Sequence, residues 1–215
     1  MTAALLEDAV ALAKEAAPRA ILGLTGPPAA GKSTLATHLV DEVNRRLGPD
    51  TAAYLPMDGF HLSNLQLQRM GRQNRKGAPD TFDVHGYVAL LHRVTGVVEH
   101  DIYVPSYDRT LHEPIAARLV VAPETKLVIT EGNYLASDES VWREVRKFLR
   151  ALWYIETADE VRESRLAERQ ITGGRNHDEA WAWVESNDRP NGEVVKKTRD
   201  NCTRVVVPGT ITPAP

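Results

Sequence analysis

The sequence predicts an α/β fold: a mostly parallel, five-stranded sheet with helices on both faces, a three-layer αβα sandwich carrying a small helical lid. Three observations lead there. Apolar β-type runs alternate with helical stripes along the chain. The stretch Gly26-Pro27-Pro28-Ala29-Ala30-Gly31-Lys32-Ser33-Thr34 is a complete G-x-x-x-x-G-K-[ST] phosphate-binding loop, entered by an apolar run and left by a helical pattern. Gly173-Gly174 breaks a later helical segment just after a face bearing Arg162, Arg165 and Arg169. Together they describe a P-loop NTPase fold whose ligands lie beyond the carboxyl ends of the strands.

The global properties suit that fold and exclude several partners. A chain of 215 residues fits one domain, 1–215, with a lid over about residues 159–190. Its hydrophobic share of 42% and charged share of 26% are those of a soluble globule. The net charge of -3 and pI near 6.2 give no electrostatic reason to expect a nucleic acid or an anionic membrane as partner. No apolar run is long enough to span a bilayer, and Cys202, the one cysteine, has no partner for an internal disulfide, so a cytoplasmic setting is expected. Residues 1–17 are alanine-rich, carry Glu7 and Asp8 and have no basic leader; they read as an amphipathic helix closed by Pro18 rather than a signal peptide.

Each element follows from its pattern. Ala20 to Thr25 is the strand entering the loop, and Leu35, Leu39, Val43 and Leu47 form the helix leaving it, ended by Gly48-Pro49. Thr51 to Met57 reads as a second strand that stops at Asp58-Gly59, and His61 to Met70 as a short helix. Gly71 to Pro79, with Arg72, Arg75 and Lys76, reads as a basic loop. Tyr87, Leu90, Leu91, Val94 and Val98 mark another helix; Asp101 to Val104 reads as a strand running into Pro105-Ser106-Tyr107-Asp108-Arg109. Leu119 to Ala122 is a short apolar run. Lys126 to Thr130 is a buried strand delivering Glu131-Gly132. A helix over Val141 to Leu149 precedes a strand over Ala151 to Ile155. Asp159 to Gln170 is helical, a second helical piece carries Trp181 and Trp183, and Asn187 to Asn191 reads as a turn. A helix over Gly192 to Asp200 and a strand over Thr203 to Val207 follow, with a frayed tail from Pro208.

The loop prescribes a triphosphate site. Gly26 and Gly31 allow the tight turn, and the amides from about Ala29 and Ala30 through Gly31, Lys32, Ser33 and Thr34 converge at a helix N-terminus. Lys32 reaches the β- and γ-phosphates and the Ser33 hydroxyl ligates the bridging Mg²⁺. Transfer to an alcohol also needs a base, an acid for magnesium and cations for the transferred oxygens. Asp58, at the end of the second strand and next to the loop, is the candidate base; capping the following turn is its alternative role. Glu131 stands where a Walker-B acid stands, to hold magnesium directly or through water. Arg165 and Arg169 are the lid cations that close on the phosphates, and Arg175 is a candidate beyond the hinge. Asp83, Tyr107, Asp108, Arg109 and His112 are candidates for the acceptor side, with a helix cap as the alternative for Asp83 and a core edge for Tyr107. No His, Cys and acid spacing suggests a zinc site.

The ordered segments GPPAAGKST, PMDGFH, TFDVHGY, VPSYDRTLHEP, VITEGNYL and RLAERQITGGR resemble the phosphoribulokinase / uridine kinase / type I pantothenate kinase superfamily, over about Ile21 to Val207. The resemblance is strongest to small bacterial members described as nucleoside/nucleotide kinase-like or fructose-transport-system kinase-like. It implies Asp58 as catalytic base, Glu131 as an acid that helps bind magnesium and Asp83 as a holder of acceptor hydroxyls. It also implies that Tyr107 and His112 line the acceptor pocket, that Arg165 and Arg169 act from the lid, and that the protein is a homodimer. The expected function is transfer of the γ-phosphate of ATP, with Mg²⁺, to a hydroxyl of a small molecule, a nucleoside first and pantothenate or a sugar such as fructose second. A regulatory P-loop NTPase is the alternative from another class; the N-K-x-D guanine segment of GTPases is absent, and Ile171-Thr172-Gly173-Gly174-Arg175 is a poor match for an ABC signature.

Overall fold

A computed structural model describes residues 3–208. The expected tail from Pro208 therefore lies, beyond that residue, outside the described residues. Five strands form one parallel sheet in the order β2-β5-β1-β6-β7: β1 (Ala20–Thr25), β2 (Ala52–Pro56), β5 (Leu127–Glu131), β6 (Ala151–Ile155) and β7 (Arg204–Val206). The inner strands read as unbroken apolar runs because both faces are covered, as the burial of every residue of β1 and β5 shows. Helices α1 (Ala3–Glu15) and α2 (Lys32–Leu47) cover one face through Leu6, Ala9, Leu35, Leu39 and Val43. Helices α4 (Val84–Gly96) and α5 (Ser140–Val145) cover the other through Tyr87, Leu91, Trp142 and Val145. The three layers expected from the sequence are present.

Strand β5 lies between β1 and β2, pairing Leu24 with Glu131 and Glu131 with Pro56. Asp58 is thus one strand further from the phosphate loop than the sequence reading placed it, and Glu131 takes the adjacent position. A second correction concerns residues 102–121. They form an antiparallel hairpin of β3 (Ile102–Asp108) and β4 (Glu113–Val121), separate from the main sheet. Half of β4 is exposed, so it lacks the apolar signature of a buried strand, and only its last residues registered as apolar. The hairpin packs on β2 and on the single turn Met57–Phe60 that follows it. There the backbones nearly touch: a Cβ on Gly59 would stand 2.3 Å from the Pro105 carbonyl oxygen.

The short helix before the basic loop is α3 (Asn64–Arg69), capped by Ser63. The segment expected as a lid holds α6 (Asp159–Thr172), α7 (His177–Trp183), a π-helical turn Val184–Asp188 and α8 (Arg189–Lys196). The turn expected over Asn187 to Asn191 is instead helical throughout. Asn, Asp and Pro signalled a break there, but Pro190 follows directly on the π-helical turn Val184–Asp188, where the regular i→i−4 ladder is already interrupted. Leu166, Ala167 and Val184 form a small core of the lid's own. Among the described residues no helix is long and apolar enough to cross a membrane.

Candidate active site

The phosphate loop is a strained turn held by its surroundings. Gly26 has φ 148° and Gly31 φ 94°, and Ala29 adopts φ 61°, a left-handed conformation that costs a residue with a Cβ about 1 kcal/mol or more. Gly26 also passes so close to β6 that a Cβ would lie 2.5 Å from the Ile155 carbonyl oxygen. The ladder of α2 starts with Leu35 N–H donating to Gly31 O at 3.0 Å, so the amides of residues 31–34 have no ladder acceptor and carry the positive end of the helix dipole.

Lys32 is buried at this end. Its ammonium donates to Gly26 O (2.9 Å), Pro27 O (3.0 Å) and Asn133 Oδ1 (2.7 Å). Burial lowers its pKa to about 8; Glu131 and Asp58 pull it up, and Arg169 and Arg162 push it further down. These five charged groups therefore share one electrostatic neighbourhood. Glu131 is buried with Oε1 accepting from the Ser33 hydroxyl (3.0 Å) and from the Tyr54 hydroxyl (2.7 Å). Burial and then Asp58 raise its carboxyl, while Lys32 holds it down.

A carboxylate, a serine hydroxyl and a phenol on one side of the loop make a hard, all-oxygen set, which fits Mg²⁺ carried on nucleotide phosphates. Among the described residues no cluster of three or more His, Cys, Asp or Glu side chains exists that would cage a metal by itself. The site suits a cation shared with a substrate.

Asp58 lies in the turn after β2, with its carboxylate partly open to the cleft and Oδ2 3.8 Å from Arg109 Nη2. His61, one turn further, points Nδ1 at the Asp58 carbonyl (2.8 Å), and burial lowers its pKa and keeps the imidazole neutral. Its ring packs at a tilt between Phe82 (centroids 4.1 Å, 44°) and Tyr107 (4.7 Å, 47°), building an aromatic wall beside the carboxylate. Burial and then Asp58 push the Tyr107 phenol up to about 12, so it stays a donor. Lys76 lies 5.3 Å above the Tyr107 ring and ties Asn64 Oδ1 to the His112 carbonyl, both at 2.6 Å.

The remaining acceptor candidates sit further out. Asp83 is the N-cap of α4: its Oδ1 accepts from Gly86 N–H at 2.8 Å, and a Cβ on Gly86 would meet the same carboxylate at 2.2 Å. Asp108 shapes the hairpin tip, accepting from the amides of Thr110 and Leu111 and pairing with Arg118, which lowers its carboxyl to about 2. His112 is an exposed residue with φ 54° at that tip, its ring 4.0 Å from where a Cβ on Gly173 would stand, so hairpin and lid meet there.

The lid arginines divide. Arg162 is buried, binding Pro28 O (3.1 Å) and Asp159. Arg165 donates to Ala29 O at 3.2 Å, directly on the phosphate loop. Arg169 is exposed and makes no such bond; partial desolvation and then the nearby Arg109 hold its pKa below the usual range. Arg175 lies flat on Trp183 at 4.1 Å instead of turning to the cleft. Sequence reasoning named Lys32, Ser33, Asp58 and Glu131, which the structure brings together. It missed Asn133, Tyr54 and His61. Asn133 follows the Walker-B acid by two positions and His61 follows Asp58 by one turn, spacings that point at the same cleft; Tyr54 is one more apolar-looking strand residue.

A groove of about 410 Å³ opens beside Pro27, lined among others by Tyr154, Glu156, Thr157, Lys196 and Arg199. A slightly larger one, about 470 Å³, lies between β2 and the hairpin, away from every residue named above except Tyr54 and Arg118.

Comparison with known proteins agrees with this geometry. No family model matches the chain. A Schizosaccharomyces pombe protein named "Putative uridine kinase C227.14" is 31% identical over 185 residues, 83% of this chain and 79% of that protein. An Escherichia coli protein named YggC, described as uncharacterized, is 39% identical over 180 residues, covering 82% and 73%. The crystal structure of a "putative fructose transport system kinase" from Silicibacter sp. TM1040 superposes with a TM-score of 0.87 at 34% identity, covering 96% of this chain and 99% of that one. At these identities and coverages the chain belongs to the uridine kinase-like superfamily of P-loop kinases.

Proposed function

We propose that the protein is an ATP- and Mg²⁺-dependent phosphotransferase that moves the γ-phosphoryl group onto a hydroxyl of a nucleoside. The observation that carries this reading is Asp58: a partly open carboxylate in the turn after β2, two residues past the Pro56 that pairs with Glu131, and close enough to Lys32 and Glu131 for both to feel its charge. A hydroxyl lying between Asp58 and the outermost phosphate gives up its proton to the carboxylate as its oxygen bonds to phosphorus. The bond from phosphorus to the bridging oxygen breaks, and ADP leaves. Lys32 and the amides of residues 31–34 hold the phosphate oxygens, and Arg165 and Arg169 offset the charge that spreads over the transferred group. Ser33 and Glu131 would hold the Mg²⁺, which would supply positive charge against the phosphate oxygens. The groove beside Pro27 supplies room for the nucleoside end of ATP.

The aromatic wall of His61, Tyr107 and Phe82 supports a flat acceptor ring, and the S. pombe relative's name points the same way. Pantothenate or a sugar is the alternative acceptor, with Asp83 and His112 at the outer wall. We place the enzyme in the cytoplasm, as a homodimer whose substrates are small molecules rather than nucleic acid or membrane. A coupled ADP-release screen with Mg-ATP across nucleosides, pantothenate and hexoses tests the reading. ADP release that depends on an added nucleoside supports it, whereas release at the same rate without any acceptor contradicts transfer and favours a regulatory NTPase.

A further inference from the structure

Strand β5 runs between β1 and β2, so the residues just past its carboxyl end stand between the phosphate loop on one side and the Asp58 turn on the other. Their backbone is pinned to both. Gly132 N–H donates to Leu24 O at 3.1 Å, and the Thr25 hydroxyl donates to Asn133 O at 3.1 Å. On the far side a Cβ on Gly132 would stand 2.5 Å from Met57, the residue before Asp58. Tyr134, which follows, is buried and donates from its hydroxyl to Gly77 O at 2.6 Å. Asn133 is left half-buried at this tip, with its backbone fixed on both sides.

The direction of its amide follows from its partner. Lys32 Nζ lies 2.7 Å from Asn133 Oδ1, and an ammonium only donates, so the oxygen faces the lysine and the NH₂ faces away from it. Among the described residues that NH₂ has no acceptor in the protein, and it is not one of the buried polar atoms left without a partner, so it meets solvent. Beyond the carboxyl ends of these strands, that solvent is the cleft. Lys32 in turn spends all three of its hydrogens on Gly26 O, Pro27 O and Asn133 Oδ1, and must release one to hold a phosphate. Pro27 O also accepts from Ala30 N–H at 3.2 Å, so it keeps a partner when the lysine lets go. The contact with Asn133 then persists, and the ammonium polarises the amide and strengthens its NH₂ as a donor.

We infer that Asn133 binds the group being transferred: its NH₂ donates to an oxygen of the γ-phosphoryl while its Oδ1 keeps Lys32 in place. The residue type suits that double role. An aspartate would hold Lys32 as well, yet it would set a second carboxylate beside the buried Glu131 and against the phosphate oxygens. A leucine or alanine would hold neither. The amide presents an acceptor to the lysine and a donor to the cleft with no net charge. The ligand of this contact rests on the ATP-dependent transfer proposed above; the contact does not depend on which alcohol is the acceptor.

The test compares two nucleotides on the full chain, by isothermal titration in the presence of Mg²⁺ and without any acceptor: ADP, and the non-hydrolysable β,γ-imido analogue of ATP. Asn133→Ala is expected to weaken the triphosphate about tenfold and ADP by less than about twofold, because the lost donor faces the γ-phosphoryl alone. Equal weakening of both nucleotides is what a residue that only holds Lys32 would give, and it overturns the inference, as does unchanged affinity for both. Asn133→Asp keeps the size and an oxygen for Lys32, and so decides the matter if the alanine variant does not fold. It is expected to weaken the triphosphate more than Asn133→Ala does, and by a larger factor than ADP; triphosphate affinity close to that of the unaltered protein overturns the inference. With the acceptor found in the screen, kcat/KM for ATP is expected to fall about tenfold or more in both variants, and an unchanged value overturns it too. If no acceptor gives turnover the nucleoside reading falls, and the difference between the two nucleotides still decides Asn133.

Discussion

The two walls of the cleft are built differently. On the donor wall, Lys32, Ser33, Tyr54, Glu131 and Asn133 are joined by hydrogen bonds of 2.7–3.0 Å around two buried charges, beside a loop whose Gly26 leaves no room for a Cβ. On the acceptor wall, Asp58 is 3.8 Å from its nearest cation, Arg109 is more than half exposed, and Arg169 bonds to nothing in the protein. The first arrangement is preorganised without a ligand; on the proposed function, the second is completed by the substrate. A wall that must recognise one fixed group, a polyphosphate, tolerates rigidity. A wall that must admit an acceptor and release a product keeps its charges loosely paired.

Substitutions sharpen that contrast, beginning with the largest effect on the donor wall. Lys32→Ala is expected to lower turnover by about 10²–10³-fold and to weaken ATP binding too, because it removes a preorganised cation that grips the phosphates throughout. Isothermal titration with ATP alongside turnover checks both halves; intact ATP affinity would show that the donor wall is less dependent on this cation than its geometry implies. Next come the two glycines. Gly26→Ala is expected to cost about 3 kcal/mol of stability or more, since a Cβ meets the backbone of β6 at an unfavourable φ. Gly59→Ala meets only the hairpin backbone, so it is expected to displace β3 and raise KM for the acceptor more than for ATP. Urea unfolding and steady-state kinetics separate the two; equal effects on both substrates from Gly59→Ala would dissolve the distinction between the walls.

Much of the donor wall was legible in the sequence because it is contiguous. A nine-residue loop between a strand and a helix specifies its own backbone, and Glu131 ends an apolar strand in the expected way. The acceptor wall was legible only in pieces. Asp58, Tyr107 and Arg109 were visible as polar residues at strand ends, but the hairpin that unites them was not, because exposed Ala116, Ala117 and Arg118 interrupt the alternation of β4. The strand order was misread for a related reason: β2 and β5 are both apolar runs ending in an acid, and nothing local says which lies beside β1. In the lid, Asn-Asp-Arg-Pro read as a turn although tertiary packing of Val184 and Asn191 keeps it helical.

Smaller effects test the finer contacts. Tyr54→Phe leaves the Glu131 carboxylate with one donor fewer, and is expected to cost about 1–3 kcal/mol in stability together with a modest loss of turnover, measured by urea unfolding and kcat. The smallest change is expected far from either wall. Glu7→Ala removes the surface pair with Arg46 that ties α1 to α2, both partners being well exposed, and should shift stability by less than about 1 kcal/mol with no change in kcat. A larger loss from Glu7→Ala than from Tyr54→Phe would mean that the contacts of the cleft contribute less than those of the surface.

The most direct measurement of the central claim is Asp58→Asn, with acceptor-dependent ADP release and ATP affinity measured on the same preparation. The account predicts that kcat falls by about 10²–10⁴-fold while ATP binds nearly as before, because the carboxylate acts on the acceptor hydroxyl and not on the nucleotide. Turnover close to that of the unaltered protein, or loss of ATP binding in step with loss of activity, would contradict it.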